Sequence, residues 1–209
     1  MKNFGFTLAE VLITLGVIGV VAAMTMPTVI QKQQKKQTAV RLQKFYNVMS
    51  NAFTRYYADE GIMPENFQFD DNIIRNPQNY NDWFKNNIGK FIVYTKVVNT
   101  GNGIQVAFAD GSGFYSYIPS NKTGYFMYCT QYKYCGMEMY DGKNSFLFQM
   151  QNGKFQTFHN GGERSRDELK LLCQKPSMFS PGGTNNTRHF CTALIEMDGW
   201  EIKDDYPAW

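Results

Sequence analysis

The chain has 209 residues, which is enough for one domain with a hydrophobic core, or for such a domain with a membrane anchor. Its formal net charge is +3, or +2 if Lys2 near the start is not counted. Either value is too small to favour nucleic acid as a partner. Aromatic residues make up 16% of the chain, and those in its second half can cover one face of a β-sheet.

An apolar segment of 25 residues, 6–30, lies near the start of the chain and contains one charged residue, Glu10. About 20 apolar residues span a bilayer as a helix, so this segment predicts one transmembrane helix. A secretory signal peptide is the alternative, with a weak cleavage signal at Ala22-Ala23. Such peptides have a shorter apolar core and a more basic start than Lys2 provides, which favours the membrane helix.

The apolar segment opens with Gly5-Phe6-Thr7-Leu8-Ala9-Glu10, which follows a short leader that carries Lys2. This combination resembles the cleavage and methylation motif shared by type IV pilins and the pseudopilins of type II secretion systems. The resemblance implies that residues 1–5 are a leader peptide, that a prepilin peptidase cuts after Gly5, and that the new terminal amine of Phe6 is methylated. Gly5 has no side chain to obstruct the peptidase at the scissile bond.

Glu10 places a carboxylate inside an apolar helix, which costs about 2.5–3.5 kcal/mol on membrane-insertion scales and therefore calls for a partner. The resemblance implies that this partner is the terminal amine of Phe6 in a neighbouring subunit, so that Glu10 guides assembly. Burial strengthens such an attraction. The alternative is that Glu10 lies near the membrane surface and extends its carboxylate into water.

Pro27 lies inside the apolar segment, where a proline removes one backbone hydrogen bond and kinks a helix. The resemblance implies that residues 19–27, just before and including this proline, loosen in an assembled filament. An ordinary kink, tolerated because neighbouring groups satisfy the backbone, is the alternative.

The charges that follow the apolar segment conflict with the cysteines over membrane orientation. Lys32, Lys35, Lys36 and Arg41 outnumber the charges before the segment, and the positive-inside rule then places the rest of the chain in the cytoplasm. Four cysteines beyond the segment instead favour an oxidising compartment. The cysteines and the resemblance together predict an extracytoplasmic head, with the three lysines on a solvated helix face near the membrane rather than at a phosphate site.

Residues 31–60 predict that the helix continues beyond the membrane. Apolar residues recur there at steps of three and four, which marks one helical face, and they are Leu42, Phe45, Tyr46, Met49, Phe53 and Tyr56. Gly61 and Pro64 then end the helix near residue 59. From Phe6 the rod is roughly 80 Å long at 1.5 Å a residue. A coiled coil is the alternative, although the apolar stripe covers fewer than three heptads.

Residues 61–209 are predicted to form a globular head. A polar loop is expected over 66–87 with a short helix over 79–87, and a second short helix over 163–172. Runs of β-branched and aromatic residues predict strands at 91–98, 104–108, 114–118, 146–150 and 154–158. Asp110-Gly111 and Gln151-Asn152-Gly153 are hairpin signals between such runs. The sequence therefore predicts an antiparallel sheet of four or more strands, with one face packed on the helix.

The four cysteines, Cys129, Cys135, Cys173 and Cys191, permit three disulfide pairings. A zinc site is an alternative, but no two cysteines have the C-x₂-C spacing and only two histidines could add ligands. About the last 20 residues resemble the closing segment of many bacterial pilin-like proteins. Disulfides in pilins often close a small loop or a longer C-terminal loop. The resemblance therefore favours the pairs Cys129–Cys135, which would close a small loop, and Cys173–Cys191, which would close a longer one. Free thiols are the third alternative, in a host without oxidative folding.

The sequence does not place a nucleophile beside a base, and neither His159 nor His189 has a catalytic context, so the chain is predicted not to be an enzyme. Asp110-Gly111, Asp141-Gly142 and Asp198-Gly199 lack the alternating acidic ligands of a dedicated calcium loop and are predicted to be plain turns. No cofactor or metal is predicted.

Together these features predict an α+β protein of pilin-like architecture, with a long N-terminal helix packed on an antiparallel β-sheet head. The resemblance implies a structural subunit of a type IV pilus or of a type II secretion pseudopilus that polymerises through this helix. The implied partners are other pilin or pseudopilin subunits, the prepilin peptidase, the inner-membrane assembly platform and the membrane. The implied location is the bacterial inner membrane, with a periplasmic head, and then a filament that can reach the cell surface. The alternative is a single-pass anchored binding domain or enzyme that does not polymerise.

Overall fold

The computed structural model describes residues 7–136, 140–159, 162–174 and 188–209. The chain forms two compact units, Met1–Thr38 and Ala39–Trp209. Helix α1 (Leu8–Glu60) contributes residues to both units. Its end agrees with the prediction: Gly61 takes a φ of +64°, which glycine adopts at little cost, and the Ile62 N–H donates to the Tyr57 carbonyl at 2.9 Å.

The second unit contains a sheet of six antiparallel strands whose spatial order follows the chain order. The strands are β1 (Lys96–Asn99), β2 (Ile104–Ala107), β3 (Gly113–Ser120), β4 (Thr123–Cys129), β5 (Ser145–Gln151) and β6 (Lys154–Thr157). Each strand pairs with the next one along the chain, so every connection is antiparallel. The predicted antiparallel sheet and the α+β class are confirmed.

The apolar face of α1 within the second unit lies against this sheet. Leu42, Phe45, Met49 and Phe53 are all buried. The ring centroid of Phe45 lies 4.9 Å from that of Tyr128 on β4, and further ring contacts connect Phe45 to β3, β5 and β6. The predicted amphipathic stripe is therefore the helix side of an aromatic core, as the three- and four-residue spacing indicates.

Besides α1 and several 3₁₀ turns, the described part of the second unit has four short α-helices: α2 (Asp71–Arg75), α3 (Tyr80–Asn86), α4 (Arg166–Gln174) and α5 (Cys191–Met197). The short helices predicted over 79–87 and 163–172 are confirmed as α3 and α4, although α4 begins three residues later than expected. The sequence patterns did not predict α5, in which Cys191 to Ile195 are all buried. Because the first five of its seven residues are all buried, this helix lacks the one-sided apolar pattern from which helices are recognised.

The strand predicted over 91–98 is wrong in its first part. Ile88–Phe91 is a 3₁₀ helix, and β1 begins at Lys96. The first ladder bond is donated by the Thr95 N–H to the Ala107 carbonyl, at 2.9 Å. Strand composition indicates that a segment suits a pleated surface, but it does not tell whether a partner strand lies beside it.

Strand β4 was not predicted, although it pairs with both β3 and β5 in the middle of the sheet. Five of its seven residues are buried, so alternation between buried and exposed residues is weak. Gly124 adds a break in the apolar pattern. A Cβ atom at this position would lie 2.9 Å from the side chains of both Phe69 and Ile118, so close packing explains the glycine.

Candidate functional site

The first turn of α1 carries the part of the cleavage motif that the structure describes. Glu10 Oε2 accepts hydrogen bonds from the Thr7 backbone N–H and from Thr7 Oγ1, both at 2.8 Å. In return, the Glu10 N–H donates to Thr7 Oγ1 at 3.3 Å. Thr7 and Glu10 therefore form a capping box, which satisfies backbone donors that a helix N-terminus otherwise leaves unpaired.

This capping role of Thr7 and Glu10 is one that the sequence reasoning missed, although a Thr three residues before a Glu is its signature. Within the described residues, Glu10 accepts these hydrogen bonds through Oε2, and none is found at Oε1. The second carboxylate oxygen is thus available to a further donor. Gly5 and Phe6, the predicted cleavage and methylation residues, lie outside the described residues, so the pairing of Glu10 with a terminal amine stays a prediction.

The N-terminal part of α1 presents large apolar side chains to its surroundings. Their exposed fractions run from 44% at Val11 to 81% at Leu8, and the set comprises Leu8, Val11, Leu12, Ile13, Leu15, Val17, Ile18, Val20, Val21, Met24, Met26, Val29 and Ile30. Among the described residues, α1 alone is long and apolar enough to cross a membrane, and its most apolar stretch is not buried at all. An apolar surface of this extent needs lipid or protein to cover it.

Pro27 lies within α1, which is helical on both sides of it. Because proline has no N–H, the carbonyl of Ala23 loses its usual helical partner. Two residues earlier, Thr25 Oγ1 donates to the Val21 carbonyl at 2.9 Å. Residues 19–27 are helical in this structure, so the loosening implied by the resemblance stays a prediction about the assembled state.

The four cysteines form two disulfides. Cys129, the last residue of β4, is bonded to Cys135, and Cys173 in α4 is bonded to Cys191 at the start of α5. The sequence separations are 6 and 18 residues. Loop-entropy models give a disulfide of the longer kind about 3 kcal/mol, and the shorter one somewhat less. The first bridge restrains the loop that follows the central strand β4, and the second connects α4 to α5.

The two histidines lie in different surroundings. His159 Nε2 is 2.9 Å from Thr157 Oγ1, and the Thr157 hydroxyl donates to the carboxylate of Glu196. The hydroxyl proton is thus directed to Glu196, whereas activation of Thr157 as a nucleophile would require the histidine to accept it. His189 is buried between the rings of Tyr140 and Phe158.

The three Asp-Gly turns use their carboxylates within the protein. Asp110 Oδ1 accepts from the Ser112 N–H at 3.0 Å. Asp141 Oδ1 accepts from three successive backbone N–H groups, those of residues 143–145, at 2.7–3.0 Å. Asp198 pairs with Arg166 at 2.6 Å. No group of three histidine, cysteine or acidic residues that could hold a metal ion occurs in the part of the chain that the structure describes.

An ion-pair network at the end of the chain is a second feature that the sequence reasoning missed. Arg166 donates to both oxygens of Asp198 and to both oxygens of Asp205, at 2.6–3.0 Å. Lys170 pairs with Asp205, and Lys203 pairs with Asp198. The network fastens the C-terminal segment to the start of α4, and sequence gives no signal for contacts between residues more than 30 positions apart.

Comparison with known proteins agrees with this geometry. Residues 1–26 match the model of the prokaryotic N-terminal methylation motif. That match, the exposed apolar helix and the helix packed on an antiparallel sheet define a pilin-like protein. Residues 28–209 match the model of DUF6613, described as a family of unknown function, and the chain belongs to this family. Comparison with curated proteins and with solved structures found no match.

Proposed function

We propose that the protein is a structural subunit of a type IV pilus or of a type II secretion pseudopilus, made as a precursor that is cut after Gly5 and methylated at Phe6. The observation that carries this proposal is the methylation motif at residues 1–26, which overlaps the first part of a helix whose apolar side chains are exposed there. Such a helix suits a bilayer first and a bundle of like helices afterwards, because both surroundings are apolar.

In this mechanism residues 6–30 hold the precursor in the inner membrane with the head on the periplasmic side. A prepilin peptidase removes residues 1–5 and methylates the new amine of Phe6. An assembly platform then moves the subunit from lipid into the filament. The apolar side chains stay out of water throughout, so the transfer does not require the free energy of exposing them.

Glu10 has two tasks in this scheme. In the membrane it caps its own helix through Oε2, which partly satisfies a carboxylate in apolar surroundings. In the filament its other oxygen accepts a hydrogen bond from the methylated, positively charged amine of a neighbouring subunit. A subunit out of register would leave this charge unpaired, which favours the correct register.

Two substitutions separate the charge of Glu10 from its capping role. Glu10→Gln keeps an oxygen that can cap the helix but removes the charge, whereas Thr7→Ala removes the capping hydroxyl and keeps the charge. We expect both variants to insert in the membrane, and we expect sheared filaments to contain Thr7→Ala but not Glu10→Gln. Electron microscopy and immunoblots of the sheared and membrane fractions provide the measurement.

Filaments formed equally well by Glu10→Gln would contradict the charge-pairing step. If wild-type protein stays in the membrane fraction under conditions in which the cell assembles filaments, the protein is an anchored head that does not polymerise.

A further inference from the structure

A groove of about 450 Å³ lies within the second unit, between α1 and the turn that joins β2 to β3. Its apolar wall consists of Phe45, Val48, Phe91, Ile92, Val93 and Phe108. Val93 is 89% exposed and lies beside the half-buried rings of Phe91 and Phe108, so the groove presents a continuous apolar surface and not a single exposed residue. The volume falls in the range of sites that take small molecules or parts of larger ones.

The rim of this groove is cationic. Arg41 and Lys44 come from successive turns of α1, and the Asp110 carboxylate lies close enough to interact electrostatically with both. The Asp110 carboxylate already accepts from the backbone and the hydroxyl of Ser112, at 3.0 and 2.5 Å. Arg41 has a hydrogen bond of 3.5 Å to the Thr130 carbonyl, and Lys44 forms no ion pair with any described residue. Two cations against one carboxylate leave a net positive rim.

A short stretch of chain connects the groove to the apolar segment. Arg41 follows Ile30, the last residue of the apolar segment, by eleven positions. Even a fully extended chain covers at most about 40 Å over eleven residues, so the rim stays within that distance of the bilayer however the two units are arranged. This step rests on the membrane anchoring in the proposed function, but not on filament assembly.

We propose that the groove binds an anionic phospholipid of the bilayer in which the chain is anchored. The phosphate lies between Arg41 and Lys44, and the carbons next to the headgroup lie against Phe91, Val93 and Phe108. Exposed apolar side chains beside cations are the arrangement by which proteins settle at the headgroup level of anionic membranes. A zwitterionic lipid lacks the net charge that complements the rim.

The test uses the full chain in phosphatidylcholine nanodiscs that contain a trace of photoactivatable lipid, either phosphatidylglycerol or phosphatidylcholine. Mass spectrometry of the digested protein then locates the label. We expect the phosphatidylglycerol probe, but not the phosphatidylcholine probe, to label residues 91–93 and 108–110. Raising the salt from about 50 to 500 mM should weaken this labelling, because screening shortens the reach of the rim charges.

Charge-reversal variants give the matched comparison. Lys44→Glu should lower labelling of the groove about fivefold or more, since each cation near an anionic surface contributes a factor of that order. Lys122→Glu is the control, because Lys122 is exposed and lies at the other end of the β3–β4 hairpin from Tyr128. Near-UV circular dichroism of both variants should match that of the wild type, which shows that the head is folded.

Equal labelling of the groove by both probes, or labelling that Lys44→Glu leaves unchanged, would overturn the proposal. A crosslink between two copies at residues 91–93 would overturn it too, by assigning the groove to a protein interface. Residues 8–30 provide the separate check on anchoring: both probes should label them whether or not the groove binds lipid. Loss of that labelling would instead contradict the membrane anchoring.

Discussion

The imidazole of His189 is 6% exposed, and its ring centroid lies 5.1 Å from that of Tyr140 and 5.3 Å from that of Phe158. Its Nδ1 atom is buried without a hydrogen-bond partner among the described residues. Burial lowers the pKa of His189 from 6.5 to about 4, because the charged ring would lose its hydration. The head therefore holds this histidine neutral under conditions in which the unfolded chain protonates it.

The pKa of His189 predicts how stability changes with pH. Between pH 6.5 and 4 the unfolded chain binds a proton that the folded chain does not, so the free energy of unfolding falls as the pH is lowered through this window. We expect His189→Phe to remove about 2–3 kcal/mol of that fall. Urea unfolding of the full chain in detergent at pH 7.5 and 4.5 measures it. An unchanged fall in the variant would show that other groups cause the pH dependence.

Arg166 joins two carboxylates, one of which is almost inaccessible. The side chain of Asp198 is 4% exposed and that of Asp205 is 42% exposed. Hydrogen bonds from Arg166 and Lys170 lower the pKa of Asp205. Burial acts to raise the pKa of Asp198, but hydrogen bonds from Arg166 and Lys203 outweigh this effect, so the pKa of Asp198 is lowered too. Both carboxylates thus stabilise the fold above their ordinary pKa of 3.8, and this contribution is lost as the pH falls below it.

Arg166→Gln should lower the midpoint of thermal unfolding at pH 7, because it leaves the buried carboxylate of Asp198 with Lys203 alone. Arg166→Lys should restore only part of the loss, since lysine cannot donate to both carboxylates in the same forked geometry. Arg55→Gln is the control, at an exposed position of α1 without an ion pair among the described residues. Equal midpoints for Arg166→Gln and the control would contradict the role of the network.

At the scale of elements, the β5–β6 hairpin shows how a turn is joined to its surroundings. Asn152 and Gly153 have φ values of +49° and +75°, as the two central residues of a type I′ turn require. The Gly153 carbonyl accepts from Tyr57 Oη at 2.9 Å. A Cβ atom at Gly153 would overlap the backbone carbonyl of Pro64. The turn thus packs tightly against α1 and the residues that follow it.

Gly153→Ala should destabilise the head by about 1–3 kcal/mol or more, because backbone strain and a clash with backbone atoms act together. Gly101→Ala is the matched control, since Gly101 has a φ of +87° but no atom within 4 Å of its added Cβ. We expect a smaller loss there, from backbone strain alone. Denaturant unfolding of both variants provides the measurement. Equal losses would show that contact with Pro64 does not matter.

Helix ends were partly predictable from sequence. The stop of α1 follows from Gly61, whereas the predicted start of α4 was three residues too early, and the caps at the starts of α1 and α4 did not enter the prediction. Both starts are capping boxes: Glu168 Oε2 accepts from the Ser165 N–H at 2.8 Å, just as Glu10 accepts from Thr7. The shared pattern of Ser or Thr followed three residues later by Glu would have placed the start of α4 correctly. In α1 the same pattern gives Thr7 a structural role as a helix cap, in addition to its place in the cleavage motif.

At the scale of the whole molecule, the features recovered from sequence are those with a local signal. The apolar segment, the amphipathic stripe of α1 and the Asn152-Gly153 hairpin each depend on neighbouring residues or on a fixed period. β4, α5 and the true start of β1 depend on partners elsewhere in the chain, so composition did not distinguish them. The same holds for the groove beside Val93, because it joins α1 to segments about 50 and 65 positions further along.

The candidate assembly site also combines features that the sequence reveals with features that only the structure reveals. The motif at residues 5–10 indicated the class of protein, because its residues are contiguous. The capping bond of Glu10, the orphan nitrogen of His189 and the network around Arg166 required coordinates. The pairing of Glu10 with a neighbouring subunit stays a prediction, because its partner would be the terminal amine of a second copy of the chain.

The most direct test of the account is the mass of the N-terminal peptide in protein purified from native membranes. Cleavage after Gly5 and transfer of one methyl group predict a chain that begins at N-methylated Phe6. A chain that still begins at Met1 would contradict processing by a prepilin peptidase and leave a plain membrane anchor. A chain that begins near Met24 would mean that the apolar segment is a signal peptide, and it would contradict assembly through this helix.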